Sequence, residues 1–307
     1  MTEFDALEAY RRMYLIRKTE ETIINEYPKS KMQTPVHLSI GQEAAAVGVM
    51  MALPEGSQVY ASHRSHAPYL AMGGDLDALV GELHGAAHGS TGGFGGSMYL
   101  ADPKVGFMGS FAVVGDCVSV AMGAAMASKM SGRNNTVVAY FGDSVLETGQ
   151  FWEAINAAVL WELPILFICE NNGYATQTPI WERQPVLNGF TGEIEMLSDR
   201  VDGLFRSAPV TDRGRWGVQS VFDTTRRMSH TPTMIEIETY RYYAHVGMED
   251  DREWGYRSGE EIDEARAGDC LTLLGEQLAA EHGEHAMKKI WSSVNTQVRE
   301  AFEKAVS

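Results

Sequence analysis

The chain has 307 residues, 44% of them hydrophobic, enough for one large α/β domain with a substantial core. A formal net charge of −16, from 25 basic and 41 acidic residues, argues against a nucleic-acid partner, whose phosphates require a basic face. No apolar run reaches the roughly 20 residues of a membrane-spanning helix, the acidic start Met1–Glu8 lacks the regions of an export signal, and Cys117, Cys169 and Cys270 are too few and too scattered for a disulfide framework.

These features point to a cytoplasmic protein in which an anionic ligand needs local compensation from a metal, Arg, His or a helix N-terminus. Residues 3–28 space Leu7, Tyr10, Met13, Ile16 and Ile23 among charges, as an amphipathic helix does. This predicts a helical arm over 1–30 that packs on the main domain or on a neighbour. Val36–Gly48 passes from a short apolar run into a Gln-Glu-Ala-Ala-Ala helix, Asp75–His84 reads as another helix, and residues 89–98 form a glycine-rich loop. Val118–Met130, rich in Ala and Met, predicts a buried helix.

Thr136–Phe141 (TVVAYF) is β-branched and apolar, as expected for a strand covered on both faces. Gly142-Asp143-Ser144 ends it, Glu147–Trp161 has helical character, and Leu163–Cys169 (LPILFIC) is a second buried strand. Strand, helix, strand at this length is a βαβ unit with parallel strands. Met234–Thr239 adds a strand, and residues 260–307 read as a polar helical tail. The expected fold class is α/β, a mostly parallel sheet flanked by helices, in a single domain over 1–307.

Ligands of open parallel sheets bind beyond the carboxyl ends of the strands. Asp143 follows the first buried strand and Asn172 the second, so neighbouring strands would bring both side-chain oxygens to one point. A carboxylate, an amide oxygen and a nearby backbone carbonyl suit Mg²⁺ or Ca²⁺, with phosphate oxygens completing the shell. Each motif alone reads more readily as an ordinary turn; their pairing across one βαβ unit favours a metal–diphosphate site.

Gly142-Asp143-Ser144 through Glu170-Asn171-Asn172, with 172 − 143 = 29 positions between the ligands, resembles the thiamine diphosphate motif that runs from Gly-Asp-Gly to Asn-Asn. The intervening Gly149-Gln150-Phe151, Glu153-Ala154, Asn156, Leu160-Trp161 and Leu163-Pro164 resemble the alpha subunits of the decarboxylating component of 2-oxo acid dehydrogenase complexes, of pyruvate, acetoin or branched-chain type. The resemblance runs from about residue 10 to about 265. It implies that Asp143 and Asn172 bind the metal by side chain and Tyr174 by its backbone carbonyl, with Ser144 and Val145 beside the diphosphate.

Other segments fit the same family. His37-Leu38-Ser39-Ile40-Gly41-Gln42-Glu43-Ala44 resembles its His-Leu-x-x-Gly-Gln-Glu-Ala, which places His37 on the reactive side of the cofactor and leans towards a small substrate such as pyruvate. His63-Arg64-Ser65-His66 resembles Tyr-Arg-x-His: Arg64 becomes a diphosphate clamp, His63 stands for the usual Tyr, and His66 falls near the reacting centre. Gly92–Met98 resembles the Gly-Lys-Gly-Gly-Ser-Met-His loop, with Phe94 for Lys and Tyr99 for His. Ala112-Val113-Val114-Gly115 resembles Gly-Ile-Val-Gly, which sets Ala112 against the pyrimidine and Val114 beneath the bent cofactor. Tyr240-Arg241-Tyr242-Tyr243-Ala244-His245 resembles the closing loop, with Arg241 on the diphosphate and His245 as proton donor or carboxylate partner. The chain then departs from the family: Val246-Gly247-Met248-Glu249-Asp250 lacks the serine phosphorylated in some relatives, so that regulation is not expected.

The resemblance implies decarboxylation of a small 2-oxo acid with thiamine diphosphate, the cofactor carrying the difficult chemistry. No glutamate in a matching motif is available to activate the cofactor. In the family that residue lies on a beta subunit, so two alpha and two beta chains are expected together, with the chain inactive alone. Acyl transfer to the lipoyl group of a partner acyltransferase is the leading reading. Carboligation onto an aldehyde is the alternative, suggested by the altered loop and by the unusual stretch Val201–Gln219. A nicotinamide dehydrogenase needs GxGxxG after a strand, which no segment supplies, and there is no Walker loop. Retention of Asp143, Asn172, Arg64, Arg241 and His245 argues against a degenerate scaffold.

Overall fold

The fold is described from a computed structural model, covering residues 3–305 apart from 33, 134, 185, 188–189, 192–205 and 229–231. The chain forms β1 (Gln58–Ser62), β2 (Phe107–Phe111), β3 (Val137–Gly142) and β4 (Ile165–Asn171), then the short antiparallel pairs β5 (Tyr174–Ala175) with β6 (Thr178–Pro179) and β7 (Val186–Leu187) with β8 (Phe190–Thr191). β9 (Arg206–Thr211) and β10 (Thr233–Glu238) complete a six-stranded sheet in the order β2-β1-β3-β4-β10-β9, every neighbouring pair parallel. β1, β2 and β9 escape the sequence reading because polar, glycine or proline residues interrupt their apolar ones. Of the unusual stretch 201–219, residues 201–205 lie outside the described residues, and the rest enters β9 and a helix.

The helices are α1 (Ala6–Glu26), α2 (Glu43–Ala52), α3 (His66–Ala71), α4 (Leu76–Leu83), α5 (Asp116–Met130), α6 (Gly149–Leu160), α7 (Gly217–Met228), α8 (Gly259–Ala267), α9 (Cys270–His282) and α10 (Glu284–Ala305). None of the described helices is long and apolar enough to cross a membrane. Successive residues of the central strands point to opposite faces of the sheet. Val138, Tyr140, Leu166, Ile168, Ile235 and Ile237 join one core with α1, α2, α9 and α10, while Val137, Ala139, Phe141, Ile165, Phe167 and Met234 join a second with α5 and α6. Each such side chain, fully buried, contributes about 1.5–3 kcal/mol.

Of the two settings expected for the arm the main domain is the one observed, while the buried-helix expectation changes in detail. The arm and the tail are parts of the main core: Met13, Ile16 and Ile23 of α1 are buried together with Leu274 of α9 and Val294 and Val298 of α10. Helix α5 is buried along one side only, since Val120 is 42% exposed and Met130 81%. Its Ala-rich sequence has little amphipathic contrast, so the open face is not visible in the pattern.

Candidate active site

Four parallel strands deliver the polar residues to one edge. His63 and Arg64 follow β1, Asp143 follows β3, Asn172 follows β4, and Arg241 lies three residues beyond β10. β3 and β4 are immediate neighbours with Gly142 opposite Glu170, so the Asp143 and Asn172 segments leave the sheet side by side. The loop after β10 folds back on residues 36–42: Tyr242 N–H donates to the Ile40 carbonyl (3.0 Å) and Gly247 N–H to that of Val36 (2.8 Å). Gly41 permits this approach, because at φ +100° a Cβ would lie 2.2 Å from the Tyr240 carbonyl oxygen.

This folding brings His37, His63 and His245 together, with ring centroids 4.5 to 5.3 Å apart. Burial and the neighbouring imidazoles and Arg64 push His37 down to about 2. Burial, then Arg64 and His245, push His63 down to about 3. Burial, then Arg64 and Arg241, push His245 down to about 4. All three are therefore neutral near pH 7.

Arg64 is buried, its guanidinium donating to the carbonyls of Leu38 (2.5 Å) and His245 (3.3 Å). Burial and the nearby Arg241 lower it to about 10, which leaves it charged. Arg241 donates to the carbonyls of Tyr243 (2.6 Å) and Thr176 (2.6 Å) and to the Tyr256 hydroxyl (2.9 Å). The Asn172 amide donates to Gln42 Oε1 (3.3 Å), and the Tyr174 N–H donates to Asn172 Oδ1 (3.2 Å). Glu170, just before the Asn pair, accepts from the Tyr140 hydroxyl at 2.7 Å, and burial pushes it up to about 7.

Asp143 is buried and forms an ion pair with Arg183, which also pairs with Glu147. Gln184 Nε2 donates to the Asp143 carbonyl (3.0 Å) and to Glu147 (2.7 Å). Burial raises the Asp143 pKa, and Arg183 opposes the rise. Sequence reading misses Arg183, Gln184 and Gln42, because they lie 40, 41 and 130 positions from their partners.

The remaining expected site residues separate into two groups. His66 is fully buried, its ring nitrogens at Glu20 Oε1 (3.1 Å) and Ser97 Oγ (2.7 Å), so neither is free for a ligand. Glu20 also accepts the Ser39 N–H (2.7 Å), which ties His66 to the segment carrying His37. Ser144 and buried Val145 occupy the 3-10 turn after Asp143, and Tyr174 begins β5. Ala112 and Val114 lie in the turn after β2, with Val114 37% exposed. The glycine-rich loop is held by Glu82, whose carboxylate accepts the N–H groups of Thr91, Gly93, Gly95 and Gly96 at 2.8–2.9 Å. Phe94 at its tip is almost wholly exposed.

Among the described residues, several buried polar atoms here have no hydrogen-bond partner: His37 Nδ1, both ring nitrogens of His63, Gln42 Nε2 and Arg241 Nε. Each such atom costs about 1–3 kcal/mol if left unpaired, so their gathering at one strand edge marks a place built for a polar ligand.

Comparison with known proteins gives the family. The family described as dehydrogenase E1 component matches residues 11–307. The alpha subunit of acetoin:2,6-dichlorophenolindophenol oxidoreductase from Bacillus subtilis (strain 168) is 31% identical over 313 residues, covering 100% of this chain and 89% of the relative. The pyruvate dehydrogenase E1 component subunit alpha of Zymomonas mobilis is 36% identical over 304 residues, covering 97% and 83% respectively. That of Rhizobium meliloti is 36% identical over 269 residues, covering 86% and 74%. The chain thus belongs to the dehydrogenase E1 component family, as an alpha-type subunit of a thiamine diphosphate-dependent enzyme that decarboxylates a 2-oxo acid.

Proposed function

We propose that the carboxyl edge of β1, β3, β4 and β10 holds thiamine diphosphate through a divalent cation, and that the acyl group formed there passes to a lipoyl group on a partner acyltransferase. The observation that carries this reading is the set of unpaired buried polar atoms, on His37, Gln42, His63 and Arg241, at the strand edge that also carries Asp143 and Asn172, with Gln42 bonded to Asn172. Asp143 and Asn172 supply hard oxygen ligands suited to Mg²⁺ or Ca²⁺, with the Tyr174 carbonyl as a third. Arg64 and Arg241 offer the cationic donors that a diphosphate requires, in a chain whose net charge is −16. Ser144 and Val145 line the approach to the diphosphate, Val114 and Ala112 the ring system.

When bound, the cofactor supplies the carbanion chemistry that removes CO₂ from a 2-oxo acid. The chain's own residues then have distinct tasks. His37 and His245, held neutral, can donate one hydrogen bond each to the substrate's carboxylate or carbonyl without carrying a proton in from solvent. His63 takes the place of a phenol and can donate to a phosphate oxygen. His66 holds the His37 segment through Glu20 and acts as a positioning residue.

A beta subunit is the partner, and two alpha and two beta chains complete the site by adding the activating glutamate. Co-expression with that subunit, followed by a 2-oxo acid screen with and without a lipoylated acyltransferase, tests the reading. Acyl transfer to the lipoyl group supports it; acyloin products that form equally well without the lipoylated partner favour carboligation.

A further inference from the structure

His37, His63 and His245 come from three separate segments, ahead of α2, after β1 and in the loop after β10. One ring nitrogen from each lies within 4.8 Å of the others. His37 Nδ1 and both nitrogens of His63 are buried without hydrogen-bond partners, so none of these three atoms is already engaged by a protein group. All three rings are neutral, the state in which imidazole binds metals.

Three convergent neutral nitrogens form a ligand set for a borderline divalent ion. Zn–N bonds of about 2.0–2.1 Å set neighbouring nitrogens about 3.4 Å apart in a tetrahedral site, so closing this cluster takes shifts of about 1 Å. The set contains no oxygen donor, which disfavours Mg²⁺ and Ca²⁺. The charged groups facing it are Arg64, against the His245 carbonyl, and Arg241; Glu170 and Glu20 offset Arg64. His63 stands where the resembled motif has Tyr, which would offer no nitrogen, so the third donor depends on this departure.

We propose that His37, His63 and His245 form a second metal position, selective for a Zn²⁺-class ion over Mg²⁺, and that an ion held there excludes thiamine diphosphate. The metal position stands on the histidines alone; the exclusion rests on the function proposed above. An ion at this point ties the β1 end to the loop after β10 and engages nitrogens otherwise available to the cofactor or substrate.

The test uses Co²⁺ as a spectroscopic probe on the full-length chain, followed by Zn²⁺ in competition with a chromophoric chelator. The expected result is stoichiometric Co²⁺ uptake with the visible absorption of a nitrogen-ligated ion of low coordination number, displaced by Zn²⁺ but not by excess Mg²⁺. His63→Tyr weakens uptake by about 100-fold, as does His245→Gln. No stoichiometric uptake overturns the proposal, as does uptake that survives both histidine substitutions. In the assembled enzyme, Zn²⁺ at stoichiometric level is expected to lower thiamine diphosphate affinity in wild type but not in His63→Tyr; an unchanged wild-type affinity overturns the exclusion. Absence of thiamine diphosphate binding by the metal-free assembled enzyme supplied with Mg²⁺ counts instead against the function proposed above.

Discussion

The buried Asp143–Arg183 pair shows at residue scale how a carboxylate can be kept ready for a cation. Both side chains are largely buried, at 3% and 9% exposure, so removing the guanidinium strands a charge. Arg183→Ala is expected to cost about 3 kcal/mol of stability, read as a lower urea midpoint. Mg²⁺ should stabilise this variant more than wild type, because it replaces the missing positive charge. Equal stabilisation of the two would show that the ion does not reach Asp143.

The three histidines make a second prediction at this scale. Their folded-state pKa values, about 2, 3 and 4, lie below the ordinary 6.5, so between these limits the unfolded chain binds more protons than the folded one. Their contribution is therefore favourable above about pH 6.5 and is lost as pH falls. Glu170, raised to about 7, works in the opposite direction, since its folded form takes up a proton first. His63→Tyr removes one of the three imidazoles, so lowering pH from 7 to 5 should cost the variant about 1–2 kcal/mol less than wild type. A series of urea midpoints over that range checks the sign, and a larger acid loss in the variant contradicts it.

At the scale of elements, the site depends on how the loop after β10 closes onto residues 36–42. Gly41 is the contact that permits closure, and Gly41→Ala combines an unfavourable φ with a Cβ pressed on the Tyr240 carbonyl. A cost of about 1–3 kcal/mol is expected, with faster hydrogen exchange at the Tyr242 amide, now bonded to Ile40. Exchange at wild-type rate would show that closure does not need the glycine.

The parts of the fold that can be read in advance are local. β3 and β4 announce themselves by continuous apolar runs, β10 by β-branched and apolar residues alternating with Glu236 and Glu238, and the βαβ unit follows from the spacing of β3 and β4. Asp143 and Asn172 are legible because they sit at fixed offsets from those strands. Arg183, Gln42 and Glu20 are not, since each reaches its partner through the tertiary fold. His66 illustrates the same limit from the other side: its motif places it near the reacting centre, yet whether a ring nitrogen is free depends on Glu20 and Ser97, from α1 and the glycine-rich loop.

For the whole molecule, α1 and the C-terminal helices are built into the core on one side of the sheet. Truncation of residues 284–305 would uncover the faces of α1, α4 and α9 that pack on α10, so loss of folding is expected in place of a trimmed, active chain. Far-ultraviolet circular dichroism and urea titration of the truncated chain check this. On the function proposed above the beta subunit completes the site edge, so the chain purified alone is expected to release no CO₂ from 2-oxo acids until that subunit is added.

The most direct measurement is a calorimetric titration of thiamine diphosphate into the assembled enzyme, with and without Mg²⁺, for wild type and Asp143→Asn. Binding that requires Mg²⁺ in wild type and weakens by about 100-fold in the variant, with assembly intact, is the expected result. Equal affinity in the two proteins would contradict the assignment of Asp143 to the metal–diphosphate site.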